Sequence, residues 1–296
     1  MIKGILAVLL GLAAVFLAES KRELGFFKIT RYSLSVPKLK ALDSEKKILL
    51  LADLHNKTYG DNNERLLQAV KEEHPDLILI AGDMLIGKEE PAYENGLNFV
   101  SMLPSICPVY YSLGNHEQRM KEMPQKYGGA AFREYKARLL GAGVHMLENE
   151  KAEIMLDRLR VQIYGLELPL YTYKKFKRHT VAPGDIQKCI GRAHRDKFQI
   201  LLAHNPVYFP AYRGWGADLT VSGHLHGGII RIPGLGGIIT PQAILFPKYS
   251  GEMTVEDGQA IAVSRGLGTH TVNMRFCNYA EVVAITLRPY KTLVHS

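Results

Sequence analysis

The stretch TVSGHLHGG, Thr220 to Gly228, sets two histidines, His224 and His226, one residue apart among glycines. Imidazoles with so little bulk around them are poor core material, and glycine lets the backbone approach a ligand closely. Four further apolar runs end in the same kind of chemistry. KKILLLAD leads to Asp53 and His55, DLILIAGD ends in Asp83, PVYYSLGNHE ends in Asn115, His116 and Glu117, and FQILLAHNP carries His204. Carboxylates, imidazoles and an amide oxygen, with no thiolate, are hard or borderline donors suited to Zn²⁺, Mn²⁺ or iron. Taken singly, each residue reads as a turn former, a helix cap or a satisfied polar group. Five strand ends with ligand chemistry in one ordered series share no structural reason, and Gly82, Gly114, Gly223, Gly227 and Gly228 stand beside three of them.

The elements that must position these residues alternate. The apolar runs are strands, and between the first of them lie helical stretches at 61–74, 91–103 and 130–140, the first stopped by Pro75. Strand–helix alternation predicts an α/β fold, and in open α/β sheets ligands collect at the carboxyl ends of strands. The second half is richer in short strands, with a hairpin signal at Asp257-Gly258. No linker divides the chain after residue 45, so residues 46–290 are expected to form one domain. The 296 residues, 47% hydrophobic and 22% charged, are ample for that.

The ordered series D-L-H (Asp53 to His55), G-D (Gly82-Asp83), G-N-H-E (Gly114 to Glu117), His204 and G-H-L-H (Gly223 to His226) resembles the calcineurin-like metallophosphoesterases. The N-terminal apolar segment and the ending SRGLGTHTVNMRFCNYAEVVAITL resemble the bacterial membrane-associated branch. The resemblance implies a two-sheet β sandwich flanked by helices, with two divalent metal ions (Mn, Zn or Fe) at the strand ends. It implies that Asp53, His55 and His226 serve one metal, that Asn115, His204 and His224 serve the other, and that Asp83 bridges them. Two cations about 3.5–4 Å apart can lower the pKa of a shared water and neutralise phosphoryl oxygens. His116 is then expected as the catalytic residue, donating to the phosphate or protonating the leaving oxygen. Glu117 either orients a neighbouring loop or merely caps a helix. The implied activity is hydrolysis of a phosphate ester or pyrophosphate bond in a small-molecule or lipid substrate. A non-catalytic scaffold of the same fold is the alternative.

Outside the series the signals are thinner. Gly4 to Ala18 carries no charge, and as a helix it would be about 22 Å long, short of a ~30 Å hydrocarbon core. Residues 1–20 are expected to be a membrane anchor or a signal segment, followed by a polar linker over 21–45 that keeps them clear of the domain. An anchor predicts a single-pass protein of the cell membrane. Its side is left open, because Lys21, Arg22, Lys28 and Arg31 favour a cytoplasmic domain while a signal-like start favours export. The net charge is +8, but no basic stripe interleaved with aromatics is present, so no nucleic-acid partner is expected. The odd set Cys107, Cys189 and Cys277 reads as small buried hydrophobes. Gly165 to His179, rich in Tyr and basic residues, is either a surface loop or an overhang on the site; Arg265 and Arg275 are candidate phosphate clamps.

Overall fold

In the run KKILLL, Ile48 and Leu50 pack to one side and Leu49 and Leu51 to the other, and all four are fully buried. A strand alternates its side chains, so an unbroken apolar run requires cover on both faces. The computed structural model, which describes residues 2–291 apart from 178, 233, 241–242 and 270–271, supplies that cover with two sheets and two helical layers. The first sheet has the order β1 (Phe27–Leu34), β14 (Ala280–Leu287), β2 (Lys46–Leu51), β3 (Leu77–Ile80), β4 (Val109–Ser112), β5 (His145–Leu147). The second has the order β12 (Met253–Glu256), β13 (Gln259–Val263), β9 (Leu219–Ser222), β8 (Phe198–Ala203), β7 (Leu159–Leu166), β6 (Lys151–Leu156).

Ile48, Leu50, Leu77 and Leu79 of the first sheet face Val161, Ile163, Ile200, Leu202 and Val221 of the second, forming the central core. The outer face of the first sheet is covered by α2 (Glu64–Glu72), α3 (Glu94–Met102) and α5 (Ala131–Gly141) through Leu66, Val70, Leu97, Phe99, Tyr135 and Leu139. The outer face of the second is covered by α6 (Pro183–Ile190) and α7 (Phe209–Trp215). This is the two-sheet sandwich flanked by helices that the family resemblance implies. Truncating one of the central residues, such as Leu50→Ala, would cost about 2–5 kcal/mol.

β2, β3 and β4 run parallel as neighbours, as do β8 and β9. Their carboxyl ends therefore open at one edge of the sandwich. The helix α4 (Asn115–Glu122) starts there, and a small ladder of β10 (Arg231–Ile232) with β11 (Gly236–Gly237) follows β9.

Two expectations need correction. Residues 21–45 are not a linker: β1 pairs parallel with β14 over its whole length, and Leu34 and Leu39 are buried in the central core. The apolar segment is also longer than expected. The helix α1 (Ile2–Leu24) has 23 residues, about 34 Å, which is long and apolar enough to cross a membrane. Nor does it stand clear of the domain. Its last turn is docked, with Ser20 and Glu23 buried, while the preceding helix is exposed. Arg178, last of the basic run Lys174, Lys175, Lys177, Arg178, lies outside the described residues.

Candidate metal centre

Each expected residue sits one to four positions beyond a strand end, where the ladder stops and the backbone can turn. Asp53, His55, Asp83, His224 and His226 all hold positive φ, between 48° and 69°. Asp, Asn and His tolerate this left-handed region better than other side chains, yet it still costs roughly 1–3 kcal/mol per residue. Cross-strand bonds hold the turns in register. Asp53 N donates to Gly82 O (3.0 Å), His55 N to Asp83 O (3.0 Å) and Gly223 N to His204 O (3.1 Å). Two glycines make room between loops. A Cβ on Gly114 would lie 2.2 Å from Asp83 Oδ1, and one on Gly223 would lie 2.4 Å from Asp53 Oδ2.

The geometry brings the expected residues together. Donor atoms of Asp53, His55 and His226 lie within 4.8 Å of one another, as do those of Asp83, His204 and His224, and those of His55, Asp83 and His116. All are buried, Asn115 included. Asn115 Oδ1 is itself a buried oxygen without a hydrogen-bond partner among the described residues. Three imidazoles share one arrangement. His55 Nδ1 faces Leu85 O (3.3 Å), His204 Nδ1 faces Ala81 O (2.5 Å) and His226 Nδ1 faces Gly268 O (3.1 Å). A carbonyl only accepts, so each Nδ1 carries its hydrogen and each Nε2 presents its lone pair inward. His55 Nε2 and His226 Nε2 then meet at 3.2 Å, and Asp53 Oδ1 lies 3.8 Å and 3.5 Å from them. His204 Nε2 lies 3.0 Å from Asp83 Oδ2.

This donor set calls for positive charge. Burial, followed by the neighbouring Asp83, lifts Asp53 to about 7. Burial also pushes Asp83 up, but the imidazoles of His204, His116 and His55 outweigh it and hold Asp83 well below the usual carboxylate range. For His204, burial pushes downward, and Asp83 with Asp53 overrides it to about 9. Convergent imidazoles beside two buried carboxylates fit divalent cations.

Asn115, His116 and Glu117 form the first turn of α4. Glu117 is fully buried and accepts from Gly114 N (3.0 Å), Asp83 N (2.9 Å), Met84 N (2.8 Å) and Tyr111 Oη (2.6 Å). It therefore caps the helix and at the same time fixes the Asp83 turn. His116 Nδ1 accepts from Gly87 N (3.0 Å), which places the proton of the neutral ring on Nε2. His116 N in turn donates to Asp83 Oδ1 (2.8 Å).

Two further pieces escaped the sequence. Tyr173, within the Tyr-rich stretch, is buried with its ring edge-on to His224 at 5.0 Å, so this segment does reach the site. Arg275 is not a phosphate clamp. It is fully buried, and its guanidinium donates to the carbonyls of Arg265, Gly266, Gly268 and Asn278 at 2.9–3.0 Å. Arg265 is likewise occupied, donating from Nε to Gly251 O (3.0 Å). Arg275 instead shapes the loop whose Gly268 carbonyl holds His226. Beside it, Asn278 Nδ2 donates to His226 O (2.7 Å) and Asn278 N to Glu23 Oε2 (2.9 Å), while Arg275 N donates to Ser20 Oγ (3.2 Å). The end of α1 is thus one hydrogen-bonding residue, Asn278, away from the His226 turn. A lone arginine and asparagine in a glycine-rich stretch carry no pattern that would have announced this.

Residues 46–228 match the family described as Calcineurin-like phosphoesterase. The chain is 26% identical over 249 residues to the uncharacterized metallophosphoesterase YkuE of Bacillus subtilis (strain 168), covering 82% of this chain and 79% of that protein. It is 25% identical over 256 residues to the phosphodiesterase YaeI of Escherichia coli (strain K12), covering 83% of each. A metallophosphoesterase of Helicobacter pylori (strain ATCC 700392 / 26695) is 29% identical over 286 residues, 90% of this chain and 68% of that one. Among solved structures, the phosphopantetheinyl hydrolase of Mycobacterium tuberculosis aligns at 15% identity and a TM-score of 0.46, over 79% of this chain and 96% of that one.

Proposed function

Because the chain belongs to the calcineurin-like phosphoesterases, and is by that membership a metal-dependent hydrolase of phosphoric esters, we propose that it works with two divalent cations and that its substrate is a phosphodiester or a lipid-linked pyrophosphate. Mn, Zn and Fe suit the donor set. Asp53, His55 and His226 would hold one ion, Asn115, His204 and His224 the other, and Asp83 both. When bound, the ions supply a water of lowered pKa and charge neutralisation at the phosphoryl group. The observation that carries this reading is the convergence of three imidazole Nε2 atoms, each locked by its own carbonyl, on two buried carboxylates.

His116, with its proton held on Nε2 by the Gly87 N–H, donates toward a phosphate oxygen or the leaving group. Glu117 keeps that turn and the Asp83 turn in register. Tyr173 walls the His224 side and excludes water there. The relative named a phosphodiesterase favours a diester. The long apolar helix at the N-terminus favours a substrate met at a membrane, with the protein held there by that helix.

The test is metal content together with a hydrolysis screen. Full-length protein reconstituted with Mn²⁺, Zn²⁺ or Fe²⁺ should retain two ions per chain and should hydrolyse aryl phosphodiesters or a lipid pyrophosphate faster than monoesters. One ion per chain, or a monoester optimum, would overturn the assignment. A fold kept only as a scaffold would hold no ions and hydrolyse nothing.

A further inference from the structure

From Ile232 to Pro247 the sequence carries no charged side chain, although 22% of the whole chain is charged. The residue before this run, Arg231, has its guanidinium buried, donating to Gly227 O (2.7 Å) and paired with Glu252. Such an uncharged run belongs in a core, yet four of its large apolar members are in the open: Ile232 is 40% exposed, Leu235 71%, Leu245 61% and Phe246 64%. A cluster of this kind on a water-soluble surface marks a contact with something apolar.

Its place in the fold names that contact. The run forms a small lobe of short pairings. Phe276 bridges Ile230, Ile238 N donates to Ile230 O (2.9 Å), and Phe246 N donates to Ile238 O (2.9 Å). At the other end of this ladder, the Phe276 ring packs on Phe16 of α1 with centroids 4.6 Å apart. At about 4.8 Å per strand, Phe246 lies roughly three strand spacings from Phe276. Lys21 and Arg22 stand in the last turn of α1, Lys28 lies over the Tyr279 ring and Lys248 follows the run, with Arg22 paired to Glu19 and Lys248 to Glu256. Apolar side chains bordered by cations match the boundary between acyl chains and anionic headgroups.

We propose that the lobe built on residues 229–232, 234–240 and 243–246 is a second membrane contact, dipping Leu235, Leu245 and Phe246 into the interface of the bilayer that α1 enters. Because the lobe follows directly on the His224–His226 turn, this contact would hold the metal centre facing the bilayer surface. The proposal rests on reading α1 as a membrane helix, not on the hydrolytic assignment.

The test uses the full chain in vesicles of phosphatidylcholine with phosphatidylglycerol, and compares Phe246→Trp and Leu235→Trp with the parent, whose sole Trp215 is buried. Flotation establishes binding first. The added emission should be blue-shifted, and lipids brominated near the headgroup should quench about half of it or more, with Trp215 unaffected. Bound protein whose added emission stays water-like at both positions would overturn the lobe while leaving the helix in place. Failure to float would overturn both. A blue shift without bromine quenching would assign the lobe to a second copy of the chain instead.

Discussion

The Asp83 carboxylate meets His204 Nε2 at 3.0 Å and accepts from the backbone N–H of His116 at 2.8 Å, while its backbone N–H donates to the Glu117 carboxylate. Asp83→Ala should therefore abolish activity and most bound metal, whereas Asn115→Ala should weaken one ion only; metal analysis per chain separates the two. His116 acts through a proton rather than through the ions. His116→Ala should lower kcat by about 10²–10⁴ with metal content unchanged, and less for a substrate with a good leaving group. Equal losses for good and poor leaving groups would argue for phosphate binding instead. Gly114→Ala would drive a methyl against Asp83 and should mimic the loss of that ligand. At this scale much was legible. The expected donors and their order stand in the sequence because chemistry restricts such donors to residues like Asp, His and Asn. The left-handed φ of five of them does not, since it comes from cross-strand bonds between distant segments. Glu117 was ambiguous for the same reason: whether a carboxylate caps or points outward depends on a turn 33 residues earlier.

β1 and α1 show where sequence reading stops among the elements. Phe27 and Ile29 of β1 pack toward the helices, whereas Tyr32 packs on, and Leu34 lies in, the core between the sheets. The alternation is thus out of phase within one strand, and its partner β14 is some 250 residues away; nothing local marks a strand. The apolar strands β2, β3 and β8 were visible because both their faces are buried. The consequence is testable by truncation. A chain starting at Phe26 keeps the sheet whole and should melt close to the full-length protein. One starting at Lys46 loses β1 and exposes apolar surface worth about 1.5–3 kcal/mol for each fully buried side chain, so it should melt several degrees lower or aggregate. The α1 contacts predict something finer. Asn278→Ala frees the carbonyls of His226 and Gly228, and should weaken metal binding about 10–100-fold without unfolding the protein. An unchanged affinity would reduce this network to a structural brace.

For the whole molecule, cations and protons compete for the same cavity. In the cation-free protein His204 stands at about 9, above its ordinary value near 6.5. A raised imidazole contributes stability that is complete below about 6.5 and disappears as pH rises through about 9. Cation affinity moves the opposite way, since ligands must shed protons to bind. The melting-temperature gap between metal-loaded and chelated protein should therefore widen from pH 6.5 to 9; a constant gap would mean His204 does not compete. Full-length protein should also sediment with membranes and require detergent for release, and a mature start near Lys21 would instead indicate a cleaved signal. The strand order carries a consequence for synthesis. β14, the last strand made, lies between β1 and β2, the first two. A ribosome must therefore deliver residue 287 before the sheet can close. Until then β1 has no partner and β2 keeps an open edge. Any stop codon, stall or protease cut that removes β14 thus leaves a chain with every expected metal ligand and an unfinished sheet. Its fate would be decided by chaperones and degradation rather than by chemistry at the site.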